Sequence, residues 1–214
     1  MSAAAILKAP AGTHSSPGKR SGNTRGATIS VALWLFIGVA TTLFTLFLAA
    51  FVMRMDARDW SPIAMPWQLW LSTLLLVAAS AMLHLASKTA WLATARNFLA
   101  AGGAFGLMFL GSQLWGWHAL QMIHVTPVGN PAGSFFYLLT AMHGMHVLGG
   151  LVGLGRTAQS AWFQARVDAD MIEVGWRSAL CARYWHFLLA VWIVLFAALG
   201  WLTPEVVRFV CGTH

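Results

Sequence analysis

The stretch FFYLLTAMHGMHVLGGLVGLGR, from Phe135 to Arg156, decides the fold class of this chain. It is apolar over the roughly 20 residues that a helix needs to cross a bilayer, yet it contains two histidines and several glycines. Ionisable side chains are costly at membrane depth and face protein or water rather than lipid. His143 and His146 stand about one helical turn apart and share a face. The stretch therefore predicts a transmembrane helix with one face packed on protein.

The composition of the whole chain also indicates a membrane protein. Of its 214 residues, 58% are hydrophobic and only 9% are charged, whereas a soluble domain carries about 25% charged residues. A globular core of this size would leave large apolar patches exposed to water. The net charge of +7 does not indicate nucleic-acid binding, because the basic residues lie mostly in the tail and the connections. We predict an all-α, polytopic membrane protein with no nucleic-acid partner.

Five apolar segments are predicted to be transmembrane helices. Their bounds are about 28–53, 67–86, 98–120, 134–155 and 183–202. They form one predicted domain over 28–204, which is followed by a short C-terminal tail, 205–214. Residues 1–27 are polar and rich in Gly, Ser and Pro, so we expect a flexible cytoplasmic tail. The connection 156–182 is a candidate for an interfacial amphipathic helix.

The distribution of lysine and arginine predicts the orientation of the chain. One side of the bundle is predicted to carry Lys8, Lys19, Arg20, Arg25, Lys88, Arg96, Arg156, Arg166, Arg177 and Arg183, and the other only Arg54, Arg58 and Arg208. Cytoplasmic loops carry the excess of positive charge. The N-terminus is therefore predicted to be cytoplasmic and the C-terminus periplasmic.

Few kinds of chemistry are available to the predicted helices. No Asp or Glu lies within the five segments, which disfavours a proton pump or cation transporter, because both usually need an intramembrane carboxylate. The sequence has no phosphate-binding glycine loop, no Ser/His/Asp set and no cysteine cluster with metal-ligand spacing. Histidine remains as the side chain to explain.

Two interpretations of the histidines follow from their positions. In the first, His143 and His146 each hydrogen-bond a neighbouring helix. In the second, histidines ligate haem or copper, which for a bis-histidine haem requires two ligands at the same depth on facing helices. Only His84 and His186 share a level when depth is counted at 1.5 Å per residue. We expect no metal site and no catalytic residue in this chain.

Two further groups of residues are candidate contact sites. Gly149 and Gly153 have the small-xxx-small spacing that lets helix backbones approach closely, and Gly150 extends the face of His143 and His146. Our candidate set for helix packing or partner contact is His143, His146, Gly149, Gly150 and Gly153.

The fifth segment opens with RYWHFLLAVWIVLF. Its basic and aromatic start is typical of the membrane interface, so simple anchoring is one interpretation. The other is a site for a lipid headgroup or a partner. The candidate residues are Arg156, Arg183, Tyr184, Trp185 and His186.

With these stretches in hand, the chain resembles subunit III of the haem–copper terminal oxidases in its short bacterial form with five helices. The specific motifs are LTAMHGMHVLGGLVGL at Leu139 and YWHF at Tyr184, followed by Val191 and Trp192. Weaker similarities are WLFIG at Trp34, LWLSTLLLVAAS at Leu69 and FLGSQLWGW at Phe109. The resemblance covers the chain from about Trp34 to Trp201.

The sequence departs from the family at three positions. Family members usually carry carboxylates where this chain has Ala40, Gly116 and Leu189. These carboxylates are linked in the family to proton uptake and to lipid or partner contacts. A role of this chain in proton uptake is therefore not expected from the resemblance.

The resemblance implies a subunit without redox centres in the bacterial inner membrane. Haem and copper would belong to subunit I, electrons from cytochrome c would enter through subunit II, and this chain would pack on subunit I and hold phospholipids. Tyr184 before Trp-His-Phe favours a cytochrome c oxidase over a quinol oxidase. Alternatives are an accessory protein of a nitric oxide reductase, an independent membrane cytochrome b with His84 or His186 as ligand, and a small transporter.

Overall fold

The computed structural model describes residues 17–55, 60–61, 63–128, 130–165 and 171–202. Five α-helices follow one another along the chain: α1 (Pro17–Arg54), α2 (Gln68–Lys88), α3 (Leu92–Met122), α4 (Pro131–Gln159) and α5 (Met171–Trp201). A short π-helix, Ser160–Gln164, continues α4. Each α-helix contains a stretch that is long and apolar enough to cross a membrane. The predicted all-α fold with five spans is confirmed, and no strand occurs in the described residues.

Several helices extend beyond their predicted ends. The start of α1 is Pro17 rather than about residue 28, so residues 17–27 of the predicted flexible tail are helical. Proline fits the first helical position, and no second proline interrupts the sequence before Arg54. The start of α5 is Met171 rather than about residue 183. Hydropathy does not detect such ends, because polar residues outside the membrane continue a helix without being apolar.

The connection after α4 is held by an arginine from another helix. Nε of Arg96 donates a hydrogen bond to the carbonyl of Ala161 at 2.9 Å, and its Nη2 donates to the carbonyl of Ala165 at 3.2 Å. The last carbonyls of a helix have no partner within it, and an arginine satisfies them while complementing the helix dipole. In the described residues, the predicted interfacial helix over 156–182 is replaced by the end of α4, the π-helix and the start of α5.

The core of the bundle lies between α2, α3, α4 and α5. The indole of Trp185 is fully buried, and a Cβ added to Gly106 of α3 would lie 2.5 Å from its Cη2. Trp192 Nε1 donates to Thr73 Oγ1 at 3.0 Å and joins α5 to α2. Helix α1 is peripheral. Only 17% of the residues in its apolar stretch are buried, against 33–44% for the apolar stretches of the other four helices. Close packing of small residues around large rings therefore positions α4 and α5.

Candidate functional site

Helix α4 carries the two histidines that the sequence singled out. The side chain of Asn130 accepts a hydrogen bond from the backbone N–H of Ala132 at 3.0 Å, and Pro131 follows this cap at the first turn. This is a favourable start for a helix. Asn130 also binds Ser61, since its Nδ2 donates to the Ser61 carbonyl at 2.7 Å. The start of α4 is therefore fixed, and with it the depth of His143 and His146.

His143 lies in a cage of aromatic rings contributed by three other helices. Its ring centroid is 6.2 Å from that of Phe44 on α1, 5.7 Å from Phe109 on α3 and 5.2 Å from Trp192 on α5. The side chain is fully buried, and neither ring nitrogen has a hydrogen-bond partner among the described residues. The prediction that His143 forms a hydrogen bond to a neighbouring helix is wrong, because the neighbouring helices place aromatic rings, rather than hydrogen-bonding groups, around it.

His146 uses its own helix for its hydrogen bond. A carbonyl oxygen only accepts, so Nδ1 of His146 carries the proton and donates to the Met142 carbonyl at 2.7 Å. The ring packs 5.7 Å from Phe36 and 5.1 Å from Phe44 of α1. Its predicted hydrogen bond to a neighbouring helix is also wrong. The interhelical bond here involves its backbone, since Tyr184 Oη donates to the His146 carbonyl at 2.9 Å.

The glycines of α4 have different environments. A Cβ added to Gly150 would lie 3.0 Å from Cε1 of Tyr184 and 3.3 Å from Cδ1 of Leu188, so Gly150 lies at the contact with α5. A Cβ on Gly149 would reach Tyr184 only at 4.0 Å, and one on Gly153 would meet none of the described residues within 4 Å. Among those residues, no helix of this chain approaches closely at the pair of Gly149 and Gly153.

The tightest glycine contacts lie on α3 and were missed. A Cβ added to Gly102 would lie 2.7 Å from Cδ2 of Leu83, and the same addition at Gly106 would meet Trp185. The stretch Gly102-Gly-Ala-Phe-Gly106 is itself a small-xxx-small pattern, so the signal was present in the sequence.

A groove of about 590 Å³ opens between α1, α4 and α5, and two of its lining residues, Phe36 and Tyr184, contact His146. Gly149, Gly150 and Gly153 lie along its α4 wall, and Tyr184 lines its α5 wall. The remaining lining residues are Ile29, Leu33, Phe36, Arg156, Thr157, Trp176, Arg177, Leu180 and Cys181. The groove is therefore apolar along most of its length and carries two arginines.

The two arginines of the groove come from facing helix ends. Arg156 lies in the last turn of α4, and Arg177 follows the first turn of α5. Arg177 forms an ion pair with Glu173 one turn earlier, with 2.8 Å between Nη2 and Oε1. Glu173 was predicted to lie in a loop, but it lies in the first turn of α5, at the exposed end of the helix. Arg177 and Trp176 were missed as groove residues because their segment was interpreted as a connection.

The predicted interface group of residues is divided by the structure. Arg156 and Tyr184 both line the groove, whereas Arg183 is exposed and is not among the lining residues. Trp185 lies in the core rather than at an interface. The reason is the early start of α5, which places these residues well inside the helix.

His84 and His186 do meet, as their common depth predicts. Nε2 of His186 and Nδ1 of His84 are 3.3 Å apart, and the ring centroids are separated by 5.4 Å. Because the rings contact each other directly, this arrangement leaves no space for a porphyrin between them. No group of three or more His, Cys, Asp or Glu side chains in the described part of the chain is placed to hold a metal ion.

The positions that lack the family carboxylates are ordinary packing positions. Ala40 is buried in α1, and a Cβ on Gly116 of α3 would lie 3.7 Å from Cβ of Gln68. Leu189 is half-buried and packs against the core. None of these three residues offers a group that could bind a proton.

No family model matches the chain, but curated proteins do. "Cytochrome c oxidase subunit 3" of Synechocystis sp. is 30% identical over 174 residues, which cover 76% of this chain and 70% of that protein. The protein of the same name from Thermostichus vulcanus is 29% identical over 168 residues, 74% of this chain and 79% of that protein. "Probable cytochrome c oxidase subunit 3" of Mycobacterium bovis is 37% identical over 99 residues, 44% of each chain.

The alignment thus spans less than half the length of the mycobacterial relative, but more than two thirds of the cyanobacterial ones. The five spans and the histidine helix agree with this similarity. The chain belongs to the cytochrome c oxidase subunit III family of the haem–copper oxidases.

Proposed function

We propose that this chain is a structural, lipid-binding subunit of an aerobic respiratory terminal oxidase in the bacterial inner membrane. It packs on the haem–copper subunit I, lies in one complex with subunit II, and carries no redox centre. Through that complex it supports the reduction of oxygen by electrons from cytochrome c, coupled to proton pumping. The observation that carries the lipid-binding part is the apolar groove with two arginines.

The groove has the chemistry of a phospholipid site. Its walls are mostly apolar, and Gly149 and Gly153 leave space beside the backbone of α4 where an acyl chain would lie. Arginine binds phosphate oxygens through paired N–H donors, and basic residues near the membrane surface attract anionic headgroups. Arg156 and Arg177 together would hold one phosphate while the acyl chains follow the glycine wall.

Filling the groove tests this site. Gly153→Leu places a side chain in the groove, and none of the described residues lies within 4 Å of its added Cβ. Gly155→Leu is the matched control, since Gly155 is equally open but is not a groove residue. We expect fewer phospholipids per complex, counted by mass spectrometry, for Gly153→Leu alone. Equal lipid content in both variants would overturn the lipid site.

The arginines are tested in the same way. Arg156→Gln and Arg177→Gln should each lower the retained phospholipid and shorten the time for which the complex keeps its activity during turnover. Arg183→Gln is the control, because Arg183 is exposed and lies outside the groove lining. If Arg183→Gln lowers the lipid content as much as the other two, the phosphate is not bound in the groove.

The partner assignment is tested by isolating the chain from native membranes in mild detergent. We expect subunits I and II to co-purify and a reduced-minus-oxidised spectrum of their haems to accompany them. The uncharged residues Ala40, Gly116 and Leu189 favour a second candidate, an accessory protein of a nitric oxide reductase. Co-purification with the reductase would select that candidate. A chain that is isolated alone and shows a haem spectrum would contradict both and favour an independent cytochrome b.

A further inference from the structure

We propose that His84 and His186 form a binding site for a divalent transition-metal ion of the zinc type on the outer surface of α2 and α5. Both side chains are exposed on the bundle. The two nitrogens that face each other, Nδ1 of His84 and Nε2 of His186, are 3.3 Å apart. Imidazole is a preferred ligand of Zn²⁺, Ni²⁺ and Cu²⁺.

The separation of the two nitrogens fits a shared ion. With zinc–nitrogen bonds of about 2.0–2.1 Å and tetrahedral angles, two histidine ligands have nitrogens about 3.3–3.4 Å apart. The ion would replace the hydrogen bond between the rings and require rotation of the imidazoles rather than movement of the helices. Two coordination positions would remain for water or for a group on a partner subunit.

A residue next to the pair orients one of the two ligands. Oγ of Ser80 lies 2.6 Å from Nδ1 of His186, and Ser80 is buried. When Nδ1–H donates to this hydroxyl, Nε2 has a free lone pair directed at the site. Histidine ligands of metals generally donate their second N–H in this way. His84 can keep its proton on Nε2 when its Nδ1 binds the ion.

The site is also accessible from the aqueous phase. Helix α2 ends at Lys88, one turn after His84, so His84 lies about 6 Å along the axis from the end of the helix. Lys88 and His84 share a face of α2. The positive charge of Lys88 opposes a cation, so its removal should strengthen binding.

The test is a titration of the full chain in detergent micelles with Co²⁺, followed by visible absorption, and with Zn²⁺, followed by calorimetry. The affinity tag contains no histidine, and bound metal is first removed with a chelator. We expect one ion per pair of histidines, loss of binding in both His84→Ala and His186→Ala, and a tenfold to hundredfold weaker Kd in Ser80→Ala. His118→Ala, which removes another exposed histidine, should leave the Kd unchanged.

Three results would overturn the proposal. The wild-type chain could bind no ion at micromolar concentrations, in which case the pair only joins two helices. Binding could also persist in His84→Ala, which would assign the ion to other histidines. His84 has no hydrogen bond with the buried Ser80, so this variant keeps the assignment testable if His186→Ala does not fold. Lys88→Gln should bind the ion more tightly, and a weaker Kd in that variant would contradict the position of the site.

Discussion

His143 lies at the centre of the bundle among aromatic rings, whereas His84 and His186 lie on its surface and are joined by one hydrogen bond. All three occur in helices that are long and apolar enough to cross a membrane. The difference lies in what the neighbouring helices provide. At the centre the neighbours are rings of α1, α3 and α5, and on the surface they are a serine and another histidine. Packing therefore dominates the first region, and polar contacts dominate the second.

The largest expected effect tests whether packing holds His143. In His143→Ala the aromatic cage would lose its central side chain, and truncation of a large buried side chain costs about 2–5 kcal/mol. His143→Leu keeps most of the volume. It loses ring contacts worth about 0.5–1.5 kcal/mol each. It also removes two buried nitrogens that have no partner in the described residues, and the desolvation cost of about 1–3 kcal/mol for such unpaired groups is then avoided.

We therefore expect His143→Leu to remain within about 1 kcal/mol of the wild type and His143→Ala to be much less stable. Thermal unfolding in detergent measures both. His143→Gln keeps a hydrogen-bonding side chain and serves as the control. If the glutamine variant is more stable than the leucine variant, a polar interaction rather than packing holds this position.

The next effect concerns the contact between α4 and α5 on the same face. Gly150→Leu would place a side chain against Tyr184, Leu188 and Trp185, and overpacking of a closed contact costs about 1–3 kcal/mol. Gly155→Leu on the same helix is the control, since no described residue lies within 4 Å of its added Cβ. The measurements are thermal unfolding and the yield of intact complex. Equal yields from the two variants would show that α4 and α5 do not depend on this approach.

The sequence predicted the spans of this bundle better than their ends. Five apolar runs are sufficient to identify five helices, because the bilayer thickness sets the length of the signal. The start of α5 at Met171 carries no such signal. That error propagated to Trp185, which was expected at an interface and is in fact buried between Gly106 and Gly150. It also concealed Arg177 as a groove residue.

The site was predictable where depth or spacing determines it. The common depth of His84 and His186 was predicted, and they are in contact. The face shared by His143 and Gly150 was also correctly predicted, since both are directed at α5. Whether a histidine meets a hydroxyl or a ring depends on the side chains of other helices at the same level. The rotation of each helix about its axis decides which side chains face each other, and the periodicity within one segment does not determine that rotation.

The smallest effect concerns the surface pair, His84 and His186. The stability of the variants is measured in the presence of a chelator, so that no metal ion contributes. Hydrogen bonds within membranes average about 0.6 kcal/mol. His84→Leu removes the bond to His186, and its expected cost is therefore about that value. His186→Leu also removes the contact with Ser80. The hydroxyl of Ser80 can turn to a carbonyl of its own helix, which keeps the extra cost small.

A double-mutant cycle of these two variants should give a coupling of about 0.6 kcal/mol, small beside the cost of His143→Ala. A coupling of several kcal/mol would mean that the surface pair holds α2 to α5 as firmly as packing holds the centre. The contrast between the two regions would then fail. A coupling near zero would leave the pair with no structural role in the isolated chain. The close approach of His84 and His186 would then be important only for the binding of a ligand, and the ion titration would be the most informative experiment.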